Sequence, residues 1–215
     1  VANHAFLQYN EEDSLITVPK GKWRINRPLI IPQGYHFEIK PGAVLSFAPE
    51  AYIFIRGDLS WKGTASEPIV LNGISDNSRK TWRGIAVFNA PGTSHLSHVH
   101  FQNTVGVSTP DWTLTAGVTF YRSDVVMDQC VFTGHQGEDA LNIIHSDFEM
   151  NEVIISQTAS DGFDADFSNG VVVGGRFHDI GRISGGDAID ISGSTVTVQG
   201  VSFQNITDKA LSVGE

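Results

Sequence analysis

Six aspartates fall at matching places in three near-repeats of one short phrase: GEDALNI (Gly137 to Ile143), SDGFDADF (Ser160 to Phe167) and GGDAIDI (Gly185 to Ile191). Each phrase runs Asp, small residue, apolar residue, then Asn or Asp, then another apolar or small residue. Strand alternation sends the apolar members inward and puts Asn142, Asp164 and Asp190 in one outward row, with Asp166 beside it. Asp139, Asp161 and Asp187 form a second column at the turn before the strand. Carboxylates about 5 Å apart repel by roughly 1 kcal/mol per pair even in a water-like dielectric. Such a patch must take cations, share protons, or accept hydrogen bonds from turn amides. For the first outcome the expected ligands are Asp139, Asp164, Asp166 and Asp187, around a Ca²⁺ ion that takes six to eight oxygens. For acid–base chemistry the expected carboxylates are Asp161, Asp164 and Asp190. Asn142, His145, Trp112 and Arg122 are the neighbouring residues expected to touch a substrate.

The elements that position these residues follow from the spacing. The small residues Gly84, Gly117, Ala140, Gly162, Ala188 and Ala210 step by 33, 23, 22, 26 and 22. A second register, Phe101, Phe132, Ile155, Phe177 and Phe203, steps by 31, 23, 22 and 26. Both lengthen at one place, so a single insertion, VGVSTPDWTLT (Val105 to Thr115), accounts for both. Short β-rich runs joined by Gly and Pro, with no helical period, fill each interval. A period in the low twenties with two or three strands means a solenoid. The leucine-rich consensus is absent, which leaves an all-β, parallel β-helix of about seven or eight coils over residues 15–215. Residues 1–14 are read as a lid over the first coil. Ser123, Ser146, Ser168 and Ser194 recur after the acidic strands and read as hydrogen-bonded stacking residues. ALSVGE at the far end offers nothing to cover the last edge, so further coils or a capping partner are expected there.

On this repetition the chain resembles the right-handed parallel β-helix superfamily of pectate lyases, polygalacturonases and phage tailspikes. GTASEPIVLNG (Gly63 to Gly73) and WRGIAVFNA (Trp82 to Ala90) are similar to scaffold phrases of such proteins. The resemblance implies an extracellular or cell-surface protein that meets a polysaccharide, an anionic one given the Ca²⁺ reading, as a lyase or a glycoside hydrolase. GEDALNI and SDGFD are similar to polygalacturonase motifs, but Glu138 stands where that family has the first Asp of a pair. DGFDADF is similar to the turn motif of alginate epimerases without its Tyr and His. The rival reading is a non-enzymatic stalk or adhesin module whose Asp columns are turn chemistry or structural Ca²⁺ sites.

Composition sets bounds. A formal charge of -10 with 14 basic residues excludes phosphate-backbone recognition of nucleic acid. No apolar run is long enough for a membrane-spanning helix. The single Cys130 lies in an apolar run and reads as a buried, inert thiol.

Overall fold

The computed structural model describes residues 4–74 and 81–214. Among them there is no helix. The strands fall into three sheets that wind into eight coils, and every pairing is parallel except the first. In the fifth coil, sheet 1 contributes Val125–Asp128, sheet 2 Val131–Thr133 and sheet 3 Asp139–Ile144. The sixth coil repeats this with Asp147–Asn151, Ile154–Ser156 and Asp161–Asp166, and the seventh with Asn169–Val173, Arg176–Ile180 and Ile189–Ser192.

Both spacing registers are structural registers. Phe101, Phe132, Ile155, Phe177 and Phe203 are successive partners on sheet 2. Phe101 and Phe132 stack at 4.7 Å between centroids. On sheet 3 the inward residues Leu141, Phe163 and Ile189 are fully buried. Stacking coils of equal length lets like residues pack on like, so a period visible in sequence becomes a column in space.

The corners explain how so short a coil closes. After sheet 3 the chain turns through one left-handed residue per coil: Asn89, Arg122, His145, Phe167 and Gly193, at φ of 52, 48, 50, 49 and 57°. Each of the first four donates its N–H to the next coil's carbonyl, as His145 N does to Asp166 O at 2.9 Å, so the ladder continues around the bend. After Arg122, His145, Phe167 and Gly193 the following residue is the serine of the column, whereas Asn89 is followed by Ala90. Ser123 N donates to Ser146 Oγ (2.8 Å), Ser146 N to Ser168 Oγ (3.1 Å) and Ser168 N to Ser194 Oγ (2.7 Å). Each of those three acceptor hydroxyls donates to the carbonyl two residues before it, at 2.9 Å. The column is therefore buried and closed, as its recurrence predicts.

The two ends differ. Gln8–Asn10 pairs antiparallel with Leu15–Val18, and Phe6 stacks on Trp23 at 5.0 Å, so residues 4–14 lie against the first coil. Residues 1–3 of the expected lid lie outside the described residues. At the other end, Leu211 and Val213 occupy the inward register opposite Ile189 and Ile191. They are nonetheless 44% and 70% exposed, because no described coil stacks on the eighth. Two indoles pack in the core: Trp82 stacks on Phe47 at 4.0 Å, and Trp61 meets Phe37 edge-on. Burial pushes the Cys130 thiol up to about 12, which keeps it unreactive.

Candidate functional site

Sheet 3 carries the acidic repeat on its outer face. Thr119, Asn142, Asp164, Asp190 and Ser212 are successive partners along one row. Asp166 lies one outward position further along, opposite Ile144 and Ser192, and Asp139 pairs with Asp161 at the start of the strand. The six aspartates thus occupy three adjacent coils.

The carboxylates divide into two kinds. Asp161 Oδ1 accepts the N–H of Asp187 at 2.7 Å, and Asp187 Oδ1 accepts the N–H of Lys209 at 2.8 Å. Lys209 Nζ also reaches Asp187 at 3.4 Å. Here a turn carboxylate caps the coil below it. Asp187 is thereby drawn to Lys209, away from the ligand set expected for it. Asp166 is partnered as well, accepting from Asn142 Nδ2 at 3.1 Å.

Asp139 and Asp164 are different. Asp139 is 2% exposed, and its Oδ1 is buried without a hydrogen-bond partner. Asp164 Oδ1, Asn142 Oδ1 and the Thr119 hydroxyl are buried and unpartnered too. Four oxygens on coils four to six are therefore buried without a hydrogen-bond partner. An unmet buried polar group costs about 1–3 kcal/mol, and more when charged. Burial first, then Glu138, Asp161 and Asp166, push the Asp139 carboxyl above the ordinary carboxylate range. Burial and the charges of Asp139, Asp166, Asp190 and Asp161 push Asp164 up further. The charges acting most strongly on both are acidic, and only a hydrogen bond from Asn142 opposes the rise, at Asp139. Asp161 is also raised, by burial first, although the Asp187 N–H opposes the rise.

One carboxylate oxygen each from Asp139, Asp161 and Asp164 lies within 4.8 Å of the others. This triad could hold a metal ion, with Asn142 Oδ1 and Thr119 Oγ1 as neutral oxygens nearby. The ligand type is hard oxygen throughout, which suits Ca²⁺ or Mg²⁺ rather than a soft transition metal. Asp161 and Thr119 join this group although the repeat pattern assigned neither of them to metal. Thr119 carries a signal of its own: it is a polar residue in the Asn142–Asp164–Asp190 row, one coil upstream.

Of the expected substrate residues, Asn142 belongs to this row, while the others lie at the corner or further off. Trp112 folds from the inserted loop back onto Tyr52 (6.2 Å) and Phe54 (5.7 Å), on coil two. That is about 19 Å from the Asp164 coil at ~4.8 Å per coil. Arg122 is exposed at the corner, its guanidinium 5.3 Å from the Tyr121 ring. His145 occupies the same corner one coil on and stacks on Phe167 at 5.1 Å. A stripe missed in the spacing links them: Phe54 to Phe88 (5.5 Å), Phe88 to Tyr121 (5.1 Å), Tyr121 to His145 (6.1 Å), then Phe167. It runs along the solenoid axis beside the acidic rows.

Of the remaining histidines, His178 pairs with its neighbour Asp179 on sheet 2. His135 is buried between Thr104 Oγ1 (2.7 Å from Nδ1) and the Gly137 N–H, which donates to Nε2. Nδ1 therefore carries the proton, and burial lowers this imidazole to about 3.

No protein-family model matches the chain, and no curated protein does. Among solved structures, the chain is similar to the Streptococcus pneumoniae surface protein and adhesin PfbA. The identity is 9%, over 94% of this chain and 92% of that one, with a TM-score of 0.22. A likeness that weak carries no argument about this chain.

Proposed function

We propose that this β-solenoid binds polysaccharide along the outer face of sheet 3, with a Ca²⁺ ion held by Asp139, Asp161 and Asp164. The observation that carries the reading is the set of four unpartnered buried oxygens: Thr119 Oγ1, Asp139 Oδ1, Asn142 Oδ1 and Asp164 Oδ1. A cation or extra protons would satisfy the two carboxylates and the Asn142 oxygen together, and a cation also offsets their charge. With the ion in place, the patch changes from repelling a uronate to bridging it. The aromatic stripe beside the patch offers flat faces to the C–H surfaces of successive sugars. A linear glycan fits a surface that repeats along one axis. The extracellular or cell-surface location expected from the β-helix resemblance belongs to this proposal.

Binding is favoured over turnover. The triad oxygens lie within 4.8 Å, closer than the roughly 6.5–9.5 Å of an inverting glycosidase, and the raised carboxyls of Asp139 and Asp164 are poor nucleophiles for a retaining pair at roughly 5–5.5 Å. A lyase needs a free basic side chain near the ion. Of the basic residues in nearby coils, Arg176 is bonded to Gln204, Lys209 to Asp187 and Asp208, Arg122 lies over Tyr121, and Arg182 is exposed with its charge acting on Asp179. A purely structural module is the second reading. The capping of the next coil by Asp161 and Asp187 favours it, since those carboxylates already have a scaffold role.

Retention on immobilised polygalacturonate, with Ca²⁺ or with EDTA, tests the proposal. The protein should be retained with Ca²⁺ and released by EDTA, and Asp139→Asn combined with Asp164→Asn should abolish retention. No retention under either condition, or retention unchanged in the double variant, would overturn it.

A further inference from the structure

Where sheet 3 turns into sheet 1, a second concave surface lies apart from the acidic triad. A groove of about 750 Å³ follows the outer face of sheet 1 from Thr93 and His95 on the fourth coil to Val171 on the seventh. A smaller hollow of about 270 Å³ continues it around the corner and is lined by Asp124, His145, Asp147, Phe167 and Asn169. Asp124, Asp147 and Asn169 border both.

The sequence shapes this groove in two ways. At Gly170 the strand comes close against the buried Phe148, because a Cβ there would lie 2.5 Å from the Phe148 carbonyl oxygen and 2.6 Å from its ring. At the corner, Gly193 seats the Phe167 ring, since a Cβ on Gly193 would come 2.7 Å from its edge. Phe167 is 61% exposed, with one face on His145 at an interplanar angle of 21°. A bulky residue in the left-handed region carries a backbone cost that glycine avoids, and both His145 and Phe167 sit there.

The permanent charges of the lining are acidic. Asp124, Asp147 and Glu149 contribute carboxylates, neither hollow has a Lys or Arg in its wall, and His95 and His145 are the imidazoles that border them. Asp124 Oδ1 accepts the Asp147 N–H at 2.9 Å, and Asp147 Oδ1 accepts Asn169 Nδ2 at 3.2 Å. One oxygen of each carboxylate is fixed by the scaffold, and the rest of the group borders the groove. An exposed aromatic face beside fixed carboxylates recognises an organic ammonium group.

We infer that this corner groove is a binding site for a glycan bearing protonated amino groups, with an amine between Asp124 and Asp147 and a sugar ring on Phe167. A basic peptide is the less suitable occupant. Sheet 1 is paired on both sides through coils four to seven, so it offers no strand edge to an extended main chain. The polymer class rests on the carbohydrate reading above; the site shares no residue with the cation triad, and His145 and Phe167, the end of the aromatic stripe, are common to both surfaces. The two surfaces ask for opposite charges: uronates through an ion on sheet 3, amines directly at the corner.

Calorimetric titration at mildly acidic pH with a fully deacetylated glucosamine oligomer tests this, beside its N-acetylated counterpart and oligolysine. The deacetylated glycan should bind at least about tenfold more tightly than either comparator. Phe167→Leu, which keeps apolar bulk, and Asp124→Asn, which keeps the oxygen that accepts the Asp147 N–H, should each weaken it by about tenfold. Asp139→Asn with Asp164→Asn should leave it unchanged, which separates this site from the one on sheet 3. Equal binding of the acetylated oligomer, tighter binding of oligolysine, or full affinity in Phe167→Leu would overturn the inference.

Discussion

Two polar stacks flank the same strands of sheet 3, and they are built to opposite standards. The serine column on one side is closed: each of Ser146, Ser168 and Ser194 accepts from the coil above and donates within its own turn. On the other side, Asp161 and Asp187 are also partnered, each accepting an N–H from the coil below, but Thr119, Asp139, Asn142 and Asp164 each keep an unmet oxygen. Repetition of a polar residue in a solenoid marks a place where coils must be joined. Repetition that leaves oxygens unmet marks a place where something else must arrive. The contrast predicts that changes to the two stacks will move stability in opposite directions.

The largest effect should come from breaking the closed stack. Ser146→Ala leaves the buried Ser123 N–H without its acceptor and should cost about 1–3 kcal/mol in urea unfolding, with Ca²⁺ binding intact. Opening the other stack should do the reverse. Asp139→Asn with Asp164→Asn removes like charges in contact and should raise the stability of the EDTA-treated protein at pH 8 by on the order of 1 kcal/mol. If that double variant is instead destabilised, the unmet carboxylates are scaffold after all.

The same carboxylates should leave a signature in pH. Their folded-state pKa values lie above the unfolded ones, so the folded chain holds extra protons above pH ~4. Metal-free stability from this source should therefore fall as pH rises from about 4 through neutrality, and saturating Ca²⁺ should flatten that slope. His135 acts in the other direction. Its folded value of about 3 lies below the unfolded ~6.5, so its contribution is intact above pH ~6.5 and is lost as pH falls toward 3. Thermal melts from pH 4 to 9, with EDTA and with Ca²⁺, would resolve both arms. The smallest effect is reserved for Trp112→Ala. This indole covers Tyr52 and Phe54, coils away from the triad, and its loss should weaken glycan retention only a few-fold.

Much of this was legible before any coordinates. The spacing of Ala140, Gly162 and Ala188 fixes the coil length, and strand alternation then fixes which residues share the Asn142–Asp164–Asp190 row. The serine column was readable for the same reason, because one residue type returns at one phase. Burial was not readable. Asp139 and Asp161 are equivalent in the pattern, yet one is sealed with an unmet oxygen and the other caps the coil below, and only packing distinguishes them. The aromatic stripe escaped because it drifts across phases. Phe54 lies in the Asp164 row, Phe88 and Tyr121 in the Asp166 row, and His145 and Phe167 at the corner. No fixed period links residues that step sideways from coil to coil.

The most direct measurement is calorimetric titration of EDTA-stripped protein with Ca²⁺ at neutral pH, beside the Asp139→Asn, Asp164→Asn variant. The account predicts one ion bound per wild-type chain, proton release on binding because Asp139 and Asp164 must ionise, and no binding in the variant. A flat titration of the wild-type protein would contradict it and return all six aspartates to the scaffold.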